Sequence, residues 1–172
     1  MPNICENWVH FTASEATINA LMSKPFSLRD HFPPPTDLDG DKLHAWLIES
    51  FSTNWIANES RDGPPQIVRK GPTTLIVDFI SSWFFPFDFY RLLVGRYSDL
   101  QIEYEYHCWE SNFIGHGHMH AGDQSDPIHC SYRTLDELNA FIDTKMDGWC
   151  VDTCNPQLEY AAHPERFKRV SS

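Results

Sequence analysis

Along Ile4 to Thr12 the chain alternates, with Cys5, Asn7, Val9 and Phe11 on one side and Ile4, Glu6, Trp8 and His10 on the other. Successive strand side chains point to opposite faces, so this pattern predicts a strand, and its two partly apolar faces place it centrally in a sheet. Ser14 offers a cap for a short helix whose Ile18, Leu21 and Met22 share one side and which ends near Lys24 and Pro25. A denser block runs from Thr73 to Gly117. Thr73 to Ile80 is rich in β-branched residues, which fit a pleated surface better than a helical turn. Pro86 suits a first helical turn. From Phe87 to Tyr97 the spacing of Phe89, Leu92, Leu93 and Arg96, with Tyr90 and Val94, then predicts a helix lying on the sheet. Gln101 to Tyr106 alternates again: Ile102, Tyr104 and Tyr106 face one way, Gln101, Glu103 and Glu105 the other, as in a half-buried strand. Asn112 to His120 is expected to return beside it through a turn at Glu110 and Ser111.

Between these blocks the signals are of loops. Pro33, Pro34 and Pro35, followed by acids and Gly40, predict a stiff loop that opens an insertion over about 25–65. Within it Trp46, Leu47 and Phe51 mark a short helix. Gln66 to Lys70 is expected to pair with 73–80 across Gly71-Pro72 as an edge strand, because Pro72 removes a ladder donor. Residues 121–130 read as a loop. Thr134 and Glu137 form a capping box ahead of Leu135, Leu138, Phe141 and Ile142, which predicts a helix over 135–146 and an irregular tail from Cys150. The element order predicts an α+β fold, a ferredoxin-like antiparallel sheet with two helices on one face. The insertion and an extra C-terminal helix are added to it. Residues 1–120 would form the domain and 121–172 an extension.

A length of 172 residues fits one such domain, and the aromatic share of 14% exceeds what its core needs, so some rings are expected to meet a partner. The formal net charge is −11, and it is unevenly spread: between Asp99 and Tyr160 stand twelve acids and two bases. A surface of that sign repels phosphate backbones, which argues against direct nucleic-acid binding and for a protein partner with a basic surface. The plainer alternative is a solvated acidic face that keeps the chain soluble. Five cysteines without regular spacing and no leader-like apolar start predict reduced thiols in the cytoplasm. No run approaches the roughly 20 apolar residues that span a bilayer, so no membrane association is expected.

Two constellations could carry chemistry. His116, His118 and His120 would share one face of a strand, with His107, Cys108, His129 and Cys130 nearby in sequence. Imidazoles so placed are candidate ligands for zinc, and the alternative is a polar strand edge. Trp83, Phe84 and Phe85 form a ring-rich turn, while Glu103, Glu105 and Glu110 supply carboxylates. Together these six are the candidate partner-binding residues. No nucleophile elbow, phosphate-cradling loop or metalloprotease helix occurs, so no catalytic residue is assigned.

Met1-Pro2-Asn3 with Cys5, Glu6 and Asn7 opens a series of short motifs. They include Asn54-Trp55, Phe79 with Trp83 and Pro86, Tyr97-Ser98-Asp99-Leu100, Tyr104 with Tyr106, Glu110, and Phe113 with Gly115. Together they resemble the YubB-type ferredoxin-like family of uncharacterised phage and plasmid proteins, over about residues 1–117. The chain departs from that family at Phe51 to Trp55, where the family has Trp-Gly-Thr-Lys-Trp, and at Phe84-Phe85-Pro86, where it has a double proline after the tryptophan. The resemblance implies a fold and a mobile-element origin more than a mechanism. The expected function is that of a small acidic phage protein that binds a host protein. One form of this is inhibition of a nucleic-acid-binding defence complex, such as a CRISPR effector, by mimicry of nucleic acid. A zinc-dependent hydrolase or nuclease centred on His116, His118 and His120, and an assembly protein forming a homodimer, are the alternatives.

Overall fold

The computed structural model describes residues 4–24, 28–51, 66–69, 71–82, 84–108, 111–123 and 126–145. Strand β1 (Ile4–Thr12) is followed by helices α1 (Glu15–Met22), α2 (Leu28–His31) and α3 (Gly40–Phe51). Then come β2 (Gln66–Arg69), β3 (Thr74–Ser82), α4 (Phe87–Arg96), β4 (Gln101–Cys108), β5 (Phe113–His120), β6 (Ile128–Ser131) and α5 (Leu135–Lys145). The sheet order is β2-β3-β1-β4-β5-β6, and every neighbouring pair is antiparallel. Its first four strands have the ferredoxin-like arrangement: the chain from β1 to β2 skips the place of β3, and α4 carries the chain from β3 past β1 to β4. β1 is central, as its alternation predicts.

The helix side of the sheet holds the core. Val9 and Phe11 of β1, Leu75 and Val77 of β3, and Ile102, Tyr104 and Tyr106 of β4 are buried there with Ile18 and Leu21 of α1 and Phe89, Tyr90 and Leu93 of α4. Phe85 is the hub: its ring stacks on Tyr104 at 4.4 Å, Tyr90 at 4.8 Å and Tyr106 at 5.6 Å. Aromatic pairs at such distances add to the burial of their large areas. The sequence pattern is explained on β5. Gly115 and Gly117 lie opposite Tyr106 and Tyr104, and a Cβ at either position would collide with the tyrosine hydroxyl. The glycines therefore let the two rings lie across β5, and the alternating His116 and His118 point to the other face.

Three expectations are corrected. The segment after Pro25, read as a loop until the helix at Trp46, contains α2, and α3 begins as early as Gly40. Phe32 and Phe51 pack on Phe89 at 5.7 and 6.4 Å, so this part of the insertion lies against α4. Within 121–130 the strand β6 begins; it pairs with β5 and carries the sheet past residue 120. Four residues with two polar members give too short a pattern to reveal a strand. The third concerns the thiols: Cys5 and Cys108, facing one another on β1 and β4 with Cα atoms 4.1 Å apart, form a disulfide, so the cysteines are not all reduced.

Local chemistry fixes the helix ends. Ser14 caps α1 by accepting from the Thr17 N–H, and Asp99, in the turn before β4, accepts from the Ser14 N–H at 2.9 Å and the Thr17 hydroxyl at 2.8 Å. The bonds from Ser14, then the one from Thr17, hold the Asp99 carboxyl down at about 2. At α5 the predicted box forms in part: the Glu137 N–H donates to Thr134 Oγ1, while the Glu137 carboxylate accepts from the Arg133 N–H. No helix among the described residues is long and apolar enough to cross a membrane.

Candidate functional site: the open face of the sheet

The face turned away from α1 and α4 is assembled by strand register. Trp8 is flanked by Asp78 and Glu105, His10 by Ile76 and Glu103, and Glu6 by Ile80 and His107. On β5, His116 stands opposite Glu105, His118 opposite Glu103 and His120 opposite Gln101. Glu6, Asp78, Glu103 and Glu105 thus share a face with five histidines. No lysine or arginine occurs in β1, β3, β4, β5 or β6.

This face has a covered end and an open end. Near β6 it is covered by α5: Leu138 is fully buried, and the Phe141 ring lies 6.3 Å from that of His116. There His107 is fully buried, 2.7 Å from the Tyr132 hydroxyl, and burial pushes its imidazole down to about 3. Glu105 is also buried, at 3% exposure. Toward the other end, the Glu103 side chain is 62% exposed with His10 Nδ1 at 3.5 Å, and His118 and His120 are about half exposed. His118 Nε2 is 3.2 Å from Asp123 Oδ2.

The six residues expected to meet a partner do not form one surface. Phe85 is fully buried at the centre of the aromatic core, which removes it from any interface. Glu105 is likewise removed, because it is buried at the covered end of the face. Phe84 is exposed, but it leans on Phe113, which in turn packs on Tyr106 of the helix side. Glu103 alone occupies the open face as expected, and Trp83 and Glu110 lie outside the described residues. The three histidines do share one face, as their period of two predicts, but His116 turns to Phe141 while His118 and His120 turn to Asp123. Among the described residues no group of three or more His, Cys, Asp or Glu side chains stands ready to hold a metal ion.

Sequence reasoning missed Glu6, His10, Asp78 and Asp123 as members of this face. The alternation of β1 places Glu6 and His10 on one side, but pairing them with Glu103 and His107 needs the register between distant strands. Asp123 arrives through a turn whose closure is not written in composition. The chain matches no family model, no curated protein and no solved structure.

Proposed function

We propose that this chain is a small binding protein of a phage or related mobile element that lays the open end of its sheet against a basic surface of a host protein. In this account it occupies a nucleic-acid-binding channel of a defence complex, of which a CRISPR effector is the expected kind. The observation that carries the proposal is the open end of the face, where the Glu103 carboxylate is 62% exposed and where neither its own strand nor the flanking β1 and β5 carries a lysine or arginine. An exposed carboxylate on a face without cations of its own attracts the cationic groups that otherwise hold phosphates, and such complementarity governs encounter rate and partner choice. The resemblance to phage and plasmid proteins supports the origin.

The test is capture from a bacterial lysate on the immobilised chain, washed at about 0.1 M and about 1 M salt, over which the screening length shrinks from about 10 Å to about 3 Å. A specific partner retained at low salt and released at high salt, and displaced by a soluble polyanion, supports the proposal. Retention that is indifferent to both treatments contradicts electrostatic mimicry.

A further inference from the structure

The end of β5 is pinned by a tight turn. The His120 N–H donates to the Asp123 carbonyl at 2.9 Å, and the Asp123 and Gly122 N–H groups donate to the His120 carbonyl at 3.1 and 2.8 Å. This turn brings the Asp123 side chain back to the residues that project from the open face of β5. His118 Nε2 lies 3.2 Å from Asp123 Oδ2, and His120 Nε2 lies 4.0 Å from the same oxygen. The two rings are nearly parallel, 17° apart in plane, with centroids separated by 6.4 Å. Two imidazoles therefore direct the same nitrogen at a single carboxylate oxygen.

We propose that His118, His120 and Asp123 bind a divalent transition ion of the zinc type. A tetrahedral ion with bonds of about 2.1 Å holds its ligand atoms about 3.4 Å apart. The His118 to Asp123 separation of 3.2 Å already matches that edge. The His120 separation of 4.0 Å is longer by about 0.6 Å, a gap that rotation of a half-exposed imidazole closes. The site is thus completed by the ion, in keeping with the lack of a ready-formed group. Two imidazoles with one carboxylate suit zinc, copper or nickel, whereas magnesium and calcium prefer oxygen throughout. Each histidine ligates through Nε2, so its proton resides on Nδ1. Glu103, opposite His118 in register, adds negative charge to the same face, with its carboxylate 3.5 Å from His10 Nδ1.

The set differs from the three histidines singled out in the sequence: Asp123 enters and His116 leaves. That difference is the test. The full chain, produced without a histidine tag and stripped with a chelator, is titrated with Zn²⁺ by calorimetry at neutral pH. One ion per chain is expected, with His118→Gln and Asp123→Asn each weakening binding at least about tenfold, and His116→Ala changing it less than about twofold. All three ligand side chains are about half exposed, and circular dichroism melts of the variants confirm that they fold. No saturable binding by the parent chain overturns the proposal, as does a loss on His116→Ala equal to that on Asp123→Asn.

Discussion

On the helix side of the sheet, Val9, Phe11, Ile102, Tyr104 and Tyr106 are closed off from water. One residue away along the same strands, His10, Gln101 and Glu103 stand wholly or partly in it. The first set is apolar and aromatic, fitted together by rings stacked on Phe85 and by glycines that make room for them. The second is polar, and the two strands that carry it, β1 and β4, contain no lysine or arginine. The comparison teaches that one strand pattern serves two ends: packing fixes what is allowed on one face, and the absence of packing leaves the other face free for charge.

The largest effect is expected from the packed side. Phe85→Ala should cost about 3–5 kcal/mol, read by denaturant unfolding; a loss below about 1 kcal/mol would show that the ring is not the hub. Next, Gly117→Ala, which puts a Cβ 2.7 Å from Tyr104 Cζ, should cost about 1–3 kcal/mol by overpacking. The same measurement on Tyr104→Phe paired with Gly117→Ala should recover part of that loss, because the colliding hydroxyl is gone.

Acid should separate the two sides further. Burial lowers His107 to about 3, and burial followed by the charges of Lys24 and Arg96 lowers His31 to about 4, from an ordinary value of 6.5. Below that ordinary value the unfolded chain takes up protons that these folded-state imidazoles refuse. Stability is therefore full above about pH 6.5 and falls as the pH drops toward 4 and 3. Melting temperatures across this window should decline, and His107→Gln should flatten the decline; an unchanged slope in that variant would contradict the buried neutral imidazole. The smallest effect on stability belongs to Glu103→Gln, within about 0.5 kcal/mol of the parent, since the side chain is exposed. That variant should nevertheless weaken partner capture at low salt.

Periodicity made β1, β3, β4 and the helices α1 and α4 legible, and left β6 hidden, because Ile102, Tyr104 and Tyr106 or Phe89, Tyr90, Leu93 and Val94 each repeat at a spacing set by their own element. The strand at β5 was legible despite its glycines, and the reason for them was not: Gly115 and Gly117 answer to tyrosines on the neighbouring strand. Phe84 and Phe85 show the limit most plainly, since adjacent residues of the same type end with one exposed and one buried. The acidic face was half legible. Glu103 and Glu105 alternate together in the sequence, but only the second is buried, and which part of a face is covered is set by long-range packing.

The most direct test of the acidic-face account reverses the same charge on two sides of the molecule. Glu103→Lys changes the open face, and Glu49→Lys changes α3, whose Phe51 packs on the helix layer. Affinity for the captured partner is then measured for both at low salt. The account predicts a loss of about tenfold or more, roughly 1.4 kcal/mol, for Glu103→Lys and a change of less than about twofold for Glu49→Lys. Equal losses would mean that only net charge matters, and no loss at Glu103 would mean that the partner does not meet this face.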